Sequence, residues 1–226
     1  MLDAQELRRR LKAARLYLVF TPGLVTDRDP LAVLGAALPH VDLVQVRPKG
    51  AGLAAQSDAR ETLEWTERVL ALVESERSEA LVIVNDRVDV ARTLLERGVA
   101  GVHLGADDTP PQVARELLGS AALIGLSTHS PAQVIAALDE PVDYLGFGPI
   151  HATATKGYAR GLGPEATWLA SMAASVPVFP ICGIGLAQAA DLSEVGRAAV
   201  SSAILTARDP AAVARALRES LALLED

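Results

Sequence analysis

LVIVNDRVDVARTLLERGVAGVHL, residues 81–104, decides how this chain folds. Leu81–Val84 is an unbroken apolar run without polar alternation, the pattern of a strand buried on both faces in a parallel sheet. Val88–Arg97 has helical character and stops before Gly98, a residue suited to a helix C-cap. Gly101–Leu104 then repeats the strand pattern. Together they make one strand–helix–strand unit, the connection that parallel strands require.

The same unit recurs outward in both directions. Apolar runs at Leu16–Phe20, Val41–Val46, Ala122–Leu126, Val142–Phe147, Val178–Ile181 and Ala198–Val200 bring the predicted strands to eight. Helical segments are expected over 29–38, 51–76, 111–118, 130–138, 164–174, 186–195 and 209–224. Ser130-Pro131 and Asp209-Pro210 each read as an N-cap followed by a first-turn proline, and Gly119 follows the end of 111–118. Eight strand–helix pairs predict a (β/α)8 TIM barrel, with residues 4–14 as an extra helix before the first strand. An open doubly wound sheet needs fewer strands. No low-complexity segment or shift in composition marks a boundary, so residues 1–226 are expected to form a single domain.

Composition narrows the function classes. The chain has 226 residues, half of them apolar, and a formal net charge of -7. An acidic chain without a basic run is a poor binder of nucleic acid, and 4% aromatic content leaves little for stacking bases. A small anionic ligand remains compatible, since a pocket can be positive inside an acidic shell. The lone Cys182 rules out an internal disulfide and fits a reducing compartment. The charged amphipathic start and the lack of a long apolar run predict a cytoplasmic protein that does not enter a membrane. Homo-oligomer formation is left open.

In a barrel of this kind the functional residues follow the strands, where the βα loops build one mouth. Polar residues fall there strand after strand. Gln45, Arg47 and Lys49 follow strand 2; Asn85, Asp86 and Arg87 follow strand 3; His103, Asp107 and Asp108 belong to strand 4 and its loop. Ser127, Thr128 and His129 end strand 5, and Thr153, Thr155 and Lys156 lie in the loop after strand 6. Cys182, Gly183 and Gly185 follow strand 7, and Ser201-Ser202 follow strand 8.

Asp86 and Asp108 come from neighbouring strands and are candidates to share a Mg²⁺, which takes one or two carboxylates plus substrate phosphates. Each is also placed to cap the helix after it. Arg47, Lys49 and Lys156 beside a metal suggest a diphosphate. Gly183, Gly185, Ser201 and Ser202 match the common barrel phosphate site of backbone N–H groups and a helix N-terminus, with Thr153 and Thr155 in reach of a second ligand. His103 reads as a hydrogen-bonded structural residue, and Cys182 as a small packed residue, not a nucleophile.

The motifs QVRPK (45–49), VNDRVDVA (84–91), GVHLGADD (101–108), IGLSTHS (124–130), DYLGFGPIHATATKG (143–157), ICGI (181–184) and VSSAI (200–204) resemble, in order and spacing, those of the thiamine-phosphate synthase family. The resemblance implies a TIM-barrel transferase. It would join 4-amino-2-methyl-5-hydroxymethylpyrimidine diphosphate to a thiazole phosphate, with pyrophosphate release by a dissociative, Mg²⁺-assisted route. It implies that Gln45, Arg47, Lys49 and Asn85 meet the pyrimidine substrate and that Asp86 and Asp108 hold Mg²⁺. Ser127 and Lys156 then serve the diphosphate side. Thr153, Thr155, Gly183, Ser201 and Ser202 hold the thiazole phosphate. Pro48, Ala106, His151-Ala152 and Cys182 depart from the usual family residues, a glycine in the case of Cys182. Two alternatives accompany this reading: a thiazole tautomerase-like isomerase, for which His151 offers an acid or base, and a non-catalytic binding protein for thiamine precursors.

Overall fold

The computed structural model describes residues 3–48, 58–151 and 161–221. Eight strands carry the fold: β1 (Leu16–Phe20), β2 (Leu43–Val46), β3 (Leu81–Asn85), β4 (Val99–Leu104), β5 (Leu123–Thr128), β6 (Tyr144–Phe147), β7 (Val178–Pro180) and β8 (Ala198–Val200). They lie in the order β7-β6-β5-β4-β3-β2-β1-β8, and neighbours in that order pair in parallel. A bridge between Ile181 and Ala199 joins the two ends of that sheet, so it wraps into the barrel expected from the sequence.

Helices cover the outside: α1 (Ala4–Ala13), α2 (Pro30–Ala37), α3 (Ala59–Ser75), α4 (Val88–Leu94), α5 (Pro111–Leu118), α6 (Pro131–Ala137), α7 (Gly163–Ala173), α8 (Leu186–Ala189), α9 (Ser202–Leu205) and α10 (Pro210–Ser220). Their starts follow local chemistry. Asp29, Ser130 and Asp209 each accept a backbone N–H of the first turn, with proline next in sequence. At the far end of α4 a single 3₁₀ turn, Leu95–Arg97, runs into Gly98 at φ 109°, a left-handed position that glycine tolerates.

Some expected boundaries move. Strand 2 begins at Leu43, one residue after Asp42, whose carboxylate accepts the N–H groups of Arg15 and Leu16. The described part of the helix expected over 51–76 starts at Ala59, capped by Asp58, and its predicted start lies outside the described residues. The helix expected over 186–195 shortens to α8 and a 3₁₀ turn, Ala190–Leu192. The short α9 between β8 and α10 was not anticipated.

Residue parity divides the core. Leu16, Leu18 and Phe20 face outward and pack with α2, α3 and α10 residues such as Leu34, Val69 and Leu217. Tyr17, Leu43, Leu81, Ile83, Leu123, Tyr144, Phe179 and Ala199 form the barrel interior. Leu7 and Leu11 of α1 join that interior cluster, so the extra helix plugs one end of the barrel. The other end, at the strand C-termini, is left to the loops.

Candidate active site at the mouth of the barrel

Gln45, at the top of β2, is only 4% exposed and points among the interior residues. Its Nε2 donates to Tyr17 Oη at 2.6 Å. Arg47, just beyond the strand, is half-buried, with its backbone N–H on the Phe20 carbonyl. Burial pushes the guanidinium pKa down, and the acidic groups of Asp86 and then Cys182 oppose that shift. Arginine stays charged regardless. The loops after β2, β3 and β7 therefore meet around this cation. Lys49 lies outside the described residues.

Asn85 closes β3 and pairs in register with His103 of β4. It is 4% exposed, and its Nδ2 is buried with no hydrogen-bond partner among the described residues. A buried amide donor of this kind costs free energy unless a ligand satisfies it. Asp86 follows with φ 61°, its N–H donating to the His103 carbonyl at 2.8 Å. Arg87, not Asp86, occupies the N-cap of α4, and its side chain makes no capping bond. Likewise Pro110, not Asp107 or Asp108, is the N-cap of α5. Asp108 instead turns back and accepts the Gly105 N–H on Oδ2 at 2.7 Å.

Asp86 and Asp108 line one cavity of about 640 Å³ that runs beside Asp89 and Arg92 of α4 and Leu117 of α5; Arg47 is not among its lining residues. Among the described residues no group of three or more His, Cys, Asp or Glu side chains gathers as a metal cage. Two carboxylates on one cavity suit a hard cation that keeps coordination positions for phosphate oxygens and water, as Mg²⁺ does.

Ser127, at the top of β5, lies 2.9 Å from His103 Nε2. His103 Nδ1 lies 3.2 Å from Tyr144 Oη, and Tyr144 Oη lies 2.9 Å from Tyr17 Oη. His103 is thus the hydrogen-bonded residue expected of it. The two tyrosines were missed, because in the sequence they read only as members of apolar strands. Interior glycines were missed too: a Cβ on Gly125 would fall 2.1 Å from Tyr144 Cζ, so β5 leaves room for that ring.

Across the mouth, the β6 and β7 loops are stitched together. Ile150 N–H donates to the Ile181 carbonyl and His151 N–H to that of Cys182. His151 Nε2 is buried without a partner among the described residues. Cys182 and Gly183 both adopt positive φ, 81° and 68°. Gly183 is exposed and Gly185 precedes α8. Ser201 Oγ donates to the Val19 carbonyl at 2.7 Å, which leaves its backbone, not its hydroxyl, for a ligand. Ser202 is exposed at the first position of α9, where N–H groups lack intrahelical acceptors. Thr153, Thr155 and Lys156 lie outside the described residues.

The fold places Gln45, Arg47, Asn85, Asp86, Asp108, Ser127, Gly183, Ser201 and Ser202 at or just beyond the C-terminal ends of β2, β3, β4, β5, β7 and β8. The chain as a whole is similar to known proteins. The pattern of the thiamine monophosphate synthase family matches residues 16–204. A thiamine-phosphate synthase of a Synechococcus species is 41% identical over 217 residues, which are 95% of this chain and 57% of that one. The chain thus spans little more than half the length of that relative. A thiamine-phosphate synthase of Thermus thermophilus is 40% identical over 92% of this chain and 97% of its own. The solved thiamine phosphate pyrophosphorylase of Pyrococcus furiosus superposes with a TM-score of 0.77 at 29% identity, covering 95% of this chain and 97% of that one. A 3-hexulose-6-phosphate synthase from Salmonella typhimurium shares the fold alone, with a TM-score of 0.66 at 15% identity, over 92% of this chain and 98% of its own. With a family match that runs from the first strand to the helix after the last, this chain belongs to the thiamine monophosphate synthase family.

Proposed function

We propose that this protein is a thiamine-phosphate synthase, an alkyl transferase that joins the pyrimidine diphosphate to the thiazole phosphate and releases pyrophosphate. The observation that carries this reading, beside the family match, is the shared cavity of Asp86 and Asp108 with Arg47 electrostatically coupled to Asp86. A monophosphate isomerase has no need of two carboxylates on one cavity with a cation beside one of them. A diphosphate leaving group does, through a metal.

In this reading Asp86 and Asp108 hold Mg²⁺, which when bound neutralises charge that builds on the departing diphosphate. Arg47 binds the same diphosphate, and its partial burial strengthens that attraction. Lys49 and Lys156 add two further positive charges. Gln45 and Asn85 hold the pyrimidine ring, and Ser127 donates to the diphosphate. The diphosphate departs first, leaving a pyrimidine-stabilised carbocation that the thiazole nitrogen captures. Gly183 and the backbone at Ser201-Ser202, with Thr153 and Thr155, hold the thiazole phosphate and so aim that nitrogen. No side-chain nucleophile is required; catalysis is charge stabilisation and alignment of two substrates.

The test is to incubate the protein with both phosphorylated precursors. Thiamine phosphate and pyrophosphate should appear in equal amounts with Mg²⁺ and cease on chelation. Isomerised thiazole phosphate with no pyrophosphate would select the tautomerase-like alternative instead.

A further inference from the structure

We infer that Tyr17, Tyr144 and His103 form a one-directional hydrogen-bond relay across the barrel floor that positions Gln45 and Ser127 for the two ends of the pyrimidine diphosphate. The inference rests on the transferase reading above and assigns roles to three residues outside it. None of the three need touch a reacting atom; they act as positioning residues.

The direction follows from what each atom can do. Gln45 Nε2 only donates, so Tyr17 Oη accepts from it at 2.6 Å. The Tyr17 proton then goes to Tyr144 Oη at 2.9 Å. Tyr144, having accepted, donates to His103 Nδ1 at 3.2 Å. A neutral imidazole that accepts at Nδ1 carries its proton on Nε2. That proton donates to Ser127 Oγ at 2.9 Å. Ser127 is left with its own O–H to donate. At the opposite end Gln45 is left with its carbonyl oxygen to accept.

These two remainders match the substrate. The pyrimidine carries an exocyclic amine, a donor, and its diphosphate is an acceptor. Turning the Gln45 amide over would reverse every link: Tyr17 would donate to Gln45, His103 would move its proton to Nδ1, and Ser127 would donate inward to His103. The Ser127 oxygen would then present lone pairs to the diphosphate. The amide orientation that accepts the amine is therefore the one that makes Ser127 a donor. Packing holds the relay in place, since Tyr17 and Tyr144 both stack edge-on against Phe179, at 5.4 and 5.8 Å. Gly146 leaves room for the imidazole, a Cβ there falling 3.2 Å from His103 Cε1.

Two measurements on the full chain test this. The first needs no substrate: ¹⁵N NMR of the ring nitrogens, with His103 distinguished from the three other histidines by its loss in His103→Gln. The wild type should show His103 as the Nε2–H tautomer, and Tyr144→Phe should show a mixture. A proton on Nδ1 in the wild type overturns the relay. The second is steady-state kinetics of Tyr17→Phe, which keeps the ring and its packing. KM for the pyrimidine diphosphate should rise roughly tenfold while KM for the thiazole phosphate stays within about twofold. An equal rise in both, or no change in either, overturns it. A wild type that forms no thiamine phosphate would sink the transferase reading and leave the tautomer measurement standing.

Discussion

Asp86 and Cys182 occupy the left-handed region at φ 61° and 81°, and their chemistry there differs. Aspartate tolerates this backbone because its short polar side chain can bond locally; cysteine has no such relief. A glycine at the position of Cys182 would adopt the same backbone without that cost. Cys182→Gly should raise stability by about 0.5–1 kcal/mol, the left-handed penalty removed less the extra entropy of an unfolded glycine. Urea unfolding checks this, and a loss of stability would show that the side chain contributes more than its backbone costs. At Asp86 the informative change is to asparagine, which keeps the left-handed preference and removes the charge. Asp86→Asn should leave the fold intact and raise the Mg²⁺ concentration needed for half-maximal turnover by at least about tenfold. Full activity at wild-type Mg²⁺ would remove Asp86 from the metal site.

Between elements, the end of the barrel away from the mouth is tied by carboxylates. Asp143, before β6, accepts from Arg8 of α1 at 2.9 Å, from Arg115 of α5 at 2.6 Å and from the Ile124 N–H at 2.9 Å. It is nearly buried, whereas Arg8 is substantially exposed, so the pairs fall between the surface and buried regimes. Asp143→Ala should cost about 2–3 kcal/mol, mostly from the buried N–H and guanidinium left behind. Because Asp143 is remote from the mouth, KM values at low temperature should not move. On β5, Gly125→Ala drives a methyl into Tyr144 and should cost about 1–3 kcal/mol by overpacking. Unchanged melting would mean that Tyr144 can move aside.

For the whole molecule, the buried polar floor sets the behaviour at alkaline pH. Burial raises the pKa of Tyr17 and of Tyr144 well above the ordinary value of 10.0. A phenol that stays protonated when folded binds more protons than its unfolded counterpart above that value. Its contribution is therefore complete below pH 10 and is lost as pH rises beyond it. Absorbance titration should show these two of the chain's three tyrosines ionising only as the barrel unfolds. Their reversible ionisation in the folded protein would contradict the sealed floor. Among the described residues no helix is long and apolar enough to cross a membrane.

Strand and helix order, the extra N-terminal helix, the caps at Ser130 and Asp209 and the rim placement of Asn85, Asp86, Asp108 and Ser127 were all legible in the sequence. Each depends on periodicity or on near neighbours, and in a (β/α)8 barrel the strand ends converge whatever the loops contain. Whether Asp86 caps a helix or faces Arg47 was not legible, because the left-handed turn that takes it off the helix is a tertiary outcome. Nor was the hydrogen-bonded floor, since Tyr17 and Tyr144 stand 127 residues apart and meet only when the barrel closes. Local pattern marks which segments become strands; which side chains face one another across the interior is decided by closure and by the glycines that leave them space.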